Sequence, residues 1–236
     1  MSKNLAIILA RGGSKRIPQK NLRMFCGLPM VAWPVQAAVQ SGLFESVVIS
    51  TDDETIRDVA IAYGASAPFQ RPKELSGDGV PSRAAEIHAI QEMSRISGEF
   101  SAVCSLTGTS AFIGTEELRT GYDTLCSGNW DFAISVLEYP HPPQRSLRVA
   151  SDSSLEMANS QYAGTRTQDL EPRYHDAGQF YWGRPRAFLG GKSSLASHTV
   201  AVVLPRSRAI DIDTPDDWII AEAIKRRCLD RTEPLE

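Results

Sequence analysis

Residues Leu5 to Leu9 form a short, uninterrupted apolar run that stops at Ala10-Arg11-Gly12-Gly13. A run of that kind suits a strand covered on both faces, as found in parallel sheets flanked by helices. The residues that follow keep to this pattern. A helical stretch from about Met30 closes at Ser41-Gly42, and a second apolar strand passes through Val47, Val48 and Ile49; glycine suits the residue that ends a helix. Asp53 is placed to cap the next helix, on which Ile56, Val59, Ala60 and Tyr63 recur on one face before Gly64 ends it. A loop from Ser66 to Pro81 leads to a helix from about Ser82, a strand at Ala102 to Leu106, a helix around Glu116 to Leu125 and a strand at Phe132 to Leu137. This alternation predicts an α/β fold, a doubly wound and mostly parallel sheet.

From Glu138 to about Asp176 the pattern breaks, with Pro140-His141-Pro142-Pro143 near its start. An irregular excursion of that length is expected to be an insertion arm, and such segments are often interfaces. Patterning resumes with Gln179 to Trp182, a strand at Val200 to Leu204 and a last helix capped by Thr214 with Pro215 at its first position. The 236 residues are therefore expected to form one domain, 1–236, with an arm at about 138–176 that reaches toward a second copy in a homodimer.

Composition narrows the partners. A formal charge of −3 without clustered Lys and Arg argues against nucleic acid and membrane surfaces. The apolar stretch before Arg11 is too short for a signal or a membrane span, so the cytoplasm is the expected compartment. Cys26, Cys104, Cys126 and Cys228 form no C-x-x-C pair and read as reduced thiols. The histidines show no paired helical spacing, so a metal here is expected to take oxygen ligands.

In an open α/β sheet, ligands bind at the carboxyl ends of the strands, which points to the loop from Ala10 to Asn21. Glycines let backbone N–H groups approach a phosphate, and Arg11, Lys15, Arg16 and Lys20 offset its charge. The spacing of Gly12 and Gly13 fits neither G-x-x-x-x-G-K-[ST] nor G-x-G-x-x-G, which removes support for a P-loop kinase or a nicotinamide dehydrogenase. A solvated basic turn is the competing reading.

The segment Ala10-Arg11-Gly12-Gly13-Ser14-Lys15-Arg16-Ile17-Pro18-Gln19-Lys20-Asn21 resembles the N-terminal motif of the CMP-sugar synthetases, and Ser50-Thr51-Asp52-Asp53 and Arg71-Pro72-Lys73-Glu74-Leu75-Ser76 continue the resemblance. It implies CTP as the nucleotide and an acidic nine-carbon sugar as its acceptor. The sugar's anomeric hydroxyl would attack the α-phosphate and release pyrophosphate. It further implies that Leu9, Ala10, Gly12, Gly13, Ser14, Lys15 and Asn21 hold the nucleotide, that Arg11 and Lys20 stabilise charge at the reacting phosphate, and that Arg71 and Ser82 lie near cytosine and ribose. Lys20 reads as an exposed loop residue of little weight in stability. For Asp53, helix capping is favoured over catalysis.

Asp211-Ile212-Asp213 is expected just after a strand, so both carboxylates would point one way and could serve one cation. Helix capping competes. The likeness of Asp211-Ile212-Asp213-Thr214-Pro215-Asp216-Asp217-Trp218 to the family's metal-binding segment favours Mg2+ on Asp211 and Asp213, with Asp216 and Asp217 left as capping residues.

His175-Asp176-Ala177-Gly178-Gln179-Phe180-Tyr181-Trp182 is similar to the corresponding stretch of the pseudaminic acid branch of the family. That likeness selects Thr107, Arg166, His175 and Gln179 as sugar-facing, with Arg166 and Arg173 suited to a carboxylate. At Leu106-Thr107-Gly108-Thr109-Ser110-Ala111-Phe112 the chain departs from the family at Thr107, Gly108 and Ala111, where smaller side chains are expected to widen the sugar pocket or weaken binding. The alternatives are a synthetase for N-acetylneuraminate or legionaminate, and a nucleotide-sugar-binding protein that has lost catalysis.

Overall fold

The computed structural model describes residues 3–230; Met1 and Ser2, part of the N-terminal stretch read above, and 231–236 lie outside the described residues. The strands are β1 (Asn4–Leu9), β2 (Met24–Phe25), β3 (Leu28–Pro29), β4 (Ser46–Ser50), β5 (Ala102–Thr107), β6 (Phe132–Glu138), β7 (Leu147–Val149), β8 (Leu155–Met157), β9 (Tyr174–Gly183) and β10 (Thr199–Val203). The helices are α1 (Ala32–Ser41), α2 (Glu54–Ala62), α3 (Ser82–Ser97), α4 (Thr115–Cys126), α5 (Pro185–Leu189) and α6 (Pro215–Asp230).

Six strands make the main sheet, in the order β10-β6-β9-β5-β1-β4. β1 pairs in parallel with β4 and β5, β10 pairs in parallel with β6, and β9 runs antiparallel between β5 and β6. The apolar continuity of β1 has a direct cause. Ala6 and Ile8 face Val35, Ile56 and Leu118 on one side, whereas Leu5 and Ile7 face Ile90, Met93 and Val103 on the other. Both faces are dry from Leu5 to Ile8, which is why the run is apolar throughout.

The expected elements form where local signals placed them. Gly42 ends α1 with φ of 63°, and the Asp53 carboxylate accepts from the Thr55 and Ile56 amides to cap α2. At α6, Thr214 Oγ1 accepts from the Asp217 amide while Asp217 Oδ2 accepts from the Thr214 amide, a reciprocal cap.

Two expectations need correction. β9 starts at Tyr174, so His175 and Asp176 belong to the sheet rather than to the arm; Leu137 pairs with His175 and Val136 with Asp176. Their polarity hid the strand, because its first residues lie at the solvated rim. A register shift against β6 sits beside Gly178, whose φ is 63°. Asp211-Ile212-Asp213 does not directly follow a strand either: a 3-10 turn, Arg206–Arg208, separates it from β10. The two carboxylates nevertheless lie either side of Ile212, which is buried with Phe25 and Trp218 beneath the glycine loop.

Between β6 and β9 the chain makes the β7–β8 hairpin and short 3-10 turns, largely exposed to solvent. No helix among the described residues is long and apolar enough to cross a membrane.

Candidate active site

β1, β4 and β5 end together, and the antiparallel β9 begins at the same edge. Two adjoining cavities of about 160 and 280 Å³ open there and share Leu9, Arg11 and Thr107. The first is bordered by Ser14, Lys15, Arg16, Lys20 and Asn21 of the glycine loop. The second is bordered by Arg71, Asp78, Val80, Pro81 and Ser82, at the start of α3. The structure thus brings most of the sequence-predicted nucleotide residues to one cleft.

Their roles divide. Arg11 pairs with Asp78 at 2.8 Å and Lys15 pairs with the same carboxylate at 2.5 Å, so an anion already sits between two cations of the loop. Lys20 is not an exposed loop residue: its side chain is 19% exposed, and Nζ donates to the Ile212 carbonyl at 2.6 Å. It also lies 3.5 Å from Asp213 Oδ1, and Arg16 pairs with Asp213 Oδ2 at 2.8 Å. The glycine loop and the carboxylate segment are therefore one unit. Burial followed by the Asp213 charge pushes the Asp211 carboxyl above its usual range.

Arg71 is buried and donates to the Ser50 hydroxyl and carbonyl at the end of β4. Burial lowers its guanidinium to about 10, against the pull of Asp52, so it remains a cation at neutral pH. Three expected contacts serve the loop itself instead. Ala10 is buried and donates its amide to Ser50, Asn21 donates to the Arg11 carbonyl at 3.0 Å, and the Gly12 amide is taken by Asp52 Oδ1 at 3.1 Å. A Cβ on Gly12 would stand 2.7 Å from Asp53 Oδ2, whereas one on Gly13 would meet open space. Close packing against α2's cap, rather than phosphate approach alone, explains glycine at position 12.

The sugar-facing set is only partly assembled. Thr107 lines both cavities. Gln179 is 3% exposed, with Nε2 bonded to the Ala177 carbonyl, so it lies under the surface. His175 packs on Tyr139 with ring centroids 4.8 Å apart. Arg166 lies on the arm in a two-pronged pair with Asp169, and Arg173 pairs with Glu171; neither guanidinium borders the two cavities within this chain. The widened pocket expected from Gly108 and Ala111 is not found. A Cβ on Gly108 would meet Asn21 Oδ1 at 2.5 Å and the Ala10 Cβ at 2.9 Å, and Ala111 is buried against Phe25 and Trp218.

Residues 5–179 match the family model described as Cytidylyltransferase. The chain belongs to the cytidylyltransferase family. It is 38% identical over 222 residues, 94% of this chain and 96% of the relative, to a pseudaminic acid cytidylyltransferase of Campylobacter jejuni. It is 32% identical to a CMP-N,N'-diacetyllegionaminic acid synthase of Legionella pneumophila, across 93% of this chain and 95% of that one. A CMP:2-keto-3-deoxy-manno-octonic acid synthetase solved with CTP superposes with a TM-score of 0.70 at 17% identity, covering 96% of this chain and 99% of that one, which supports the shared fold.

Cytidylyltransferases of this fold generally use a divalent metal. Asp211 and Asp213 repel each other electrostatically, Arg16 and Lys20 face the Asp213 oxygens, and no cluster of three His, Cys, Asp or Glu suited to a metal occurs among the described residues. Sequence reasoning missed Asp78, although Gly77-Asp78-Gly79 sets an acid between two glycines. It also missed the Asp217 carboxylate as the acceptor for the Asp213 amide at 3.1 Å, which fixes the carboxylate segment as well as capping α6.

Proposed function

We propose that this cytidylyltransferase transfers CMP from CTP to the anomeric hydroxyl of a nonulosonic acid, pseudaminic acid foremost, releasing pyrophosphate. The observation that carries the reading is the Lys20 bridge to Ile212 and Asp213, which joins the loop cations to the carboxylate pair across one cleft. The choice of sugar rests on the identity to the Campylobacter enzyme over nearly the full length of both chains.

In this reading the nucleoside lies in the cavity edged by Arg71 and Ser82, and the triphosphate lies against Arg11, Ser14, Lys15 and Lys20. The sugar's hydroxyl oxygen bonds to the α-phosphorus and releases its proton to solvent as the bond from the α-phosphorus to the bridging oxygen breaks, and pyrophosphate carries away the electron pair. Arg11 and Lys20 offset the charge that develops, an effect strengthened where water is excluded. A magnesium ion would be held by Asp211 and Asp213 and would supply further neutralisation of phosphate oxygens. The intact set Arg11, Lys20, Asp211 and Asp213 speaks against a protein that only binds nucleotide sugars.

The chain is read as one nucleotidyltransferase domain with an arm, assembled as a homodimer. Exposed Leu147, Val149 and Leu155 on the β7–β8 hairpin support the second part. The cytoplasm, where CTP is available, is the compartment this reading implies.

The test is pyrophosphate release with pseudaminic acid, magnesium and each of CTP, UTP, ATP and GTP, with the product mass measured. CMP-pseudaminic acid from CTP alone is the expected result. No release with any nucleotide and any nonulosonic acid would refute the reading.

A further inference from the structure

Thr107 connects the cleft to the start of β9. Its hydroxyl donates to the Gly178 carbonyl at 3.3 Å, and its side chain lines both cavities. The Gly178 amide in turn donates to Asp176 Oδ1 at 2.8 Å, and the Tyr181 hydroxyl donates to Asp176 Oδ2 at 2.6 Å. The Asp176 carboxylate is thus held from two sides and exposed to solvent, and it is linked through Gly178 to Thr107, which borders both cavities. Burial and then the bond to Asp176 push the Tyr181 phenol upward, with smaller contributions from Glu86 and Asp211, so the hydroxyl remains a donor.

A carboxylate offers about four acceptor positions. Two are used here. An exposed carboxylate with acceptor positions to spare, linked through Gly178 to Thr107, suits a ligand rich in O–H and N–H groups.

We infer that Asp176 accepts a hydrogen bond from a hydroxyl or acylamino N–H of the acceptor sugar and thereby selects and orients it, with Tyr181 as its positioning residue. The inference rests on the function proposed above. Asp176 also repels a second anion, so the sugar's own carboxylate is turned toward the cationic side of the cleft. A site that pairs with a particular donor rejects an analogue lacking it, because its own acceptor is left dry.

The experiment uses the full chain with CTP and pseudaminic acid, comparing wild type, Asp176→Asn and Tyr181→Phe. Asp176→Asn is expected to raise KM for the sugar by about tenfold or more, the scale of losing one such bond. Tyr181→Phe is expected to change it in the same direction by a smaller factor. CTP affinity measured by calorimetry without sugar, and the melting temperature, are expected to stay at wild-type values. An unchanged sugar KM in a folded Asp176→Asn protein would overturn the inference. So would a parallel loss of CTP affinity and thermal stability, which would make Asp176 a structural residue. Wild type that releases no pyrophosphate with any nonulosonic acid would instead overturn the function on which the inference stands.

Discussion

Burial and the Asp213 carboxylate raise the Asp211 carboxyl, while Lys20 and Arg16 pull it back. A carboxyl whose pKa rises on folding contributes stability while protonated, below its unfolded value of about 4, and loses it as pH climbs through the raised folded value. Asp211→Asn removes that loss. In metal-free protein its melting temperature should exceed that of wild type at pH 7, with the difference shrinking toward pH 4, while turnover with magnesium falls by about tenfold or more. A lower melting temperature at pH 7 would show that Asp211 is a structural partner. Asp78 offers the opposite trade. It holds Arg11 and Lys15 in the place a phosphate would take, so Asp78→Asn is expected to tighten CTP binding by roughly threefold, measured by calorimetry. Weaker binding would show that Asp78 touches the nucleotide instead.

At the scale of elements, β5 and the glycine loop pack so closely that position 108 tolerates only glycine. Gly108→Ala forces a methyl into Asn21 and Ala10. It should cost about 1–3 kcal/mol by denaturant unfolding and also weaken CTP binding, since Asn21 holds the Arg11 carbonyl. The sequence expectation for this loop failed because side-chain size was read without knowing what lay opposite. Where the signal was local it succeeded: the two-faced burial of β1, the Gly42 and Asp53 caps and the Thr214 cap all depend on neighbours within a few residues. β9 depends on partners far away in sequence, and its polar rim residues show no alternation until β5 and β6 are placed beside it. Lys20 was misjudged for the same reason, because its carbonyl partner lies on Ile212.

Across the whole molecule, one cleft gathers the ends of β1 and β5, the glycine loop and the start of α3, and its glycine-loop part was legible from the loop motif alone. Most of the residues proposed for the sugar do not gather there. Arg166 and Arg173 stand on the arm, paired with Asp169 and Glu171, and His175 lies against Tyr139. The arm's exposed Leu147 and Leu155 predict association. Light scattering should give twice the chain mass for wild type, and the double substitution Leu147→Asp with Leu155→Asp should shift it toward the single chain; a fully active wild-type monomer would contradict the dimer. Sugar choice is decided by kcat/KM for pseudaminic acid and N-acetylneuraminic acid at saturating CTP and magnesium. A clear preference for pseudaminic acid is expected; equal or better use of N-acetylneuraminic acid would contradict the proposed function.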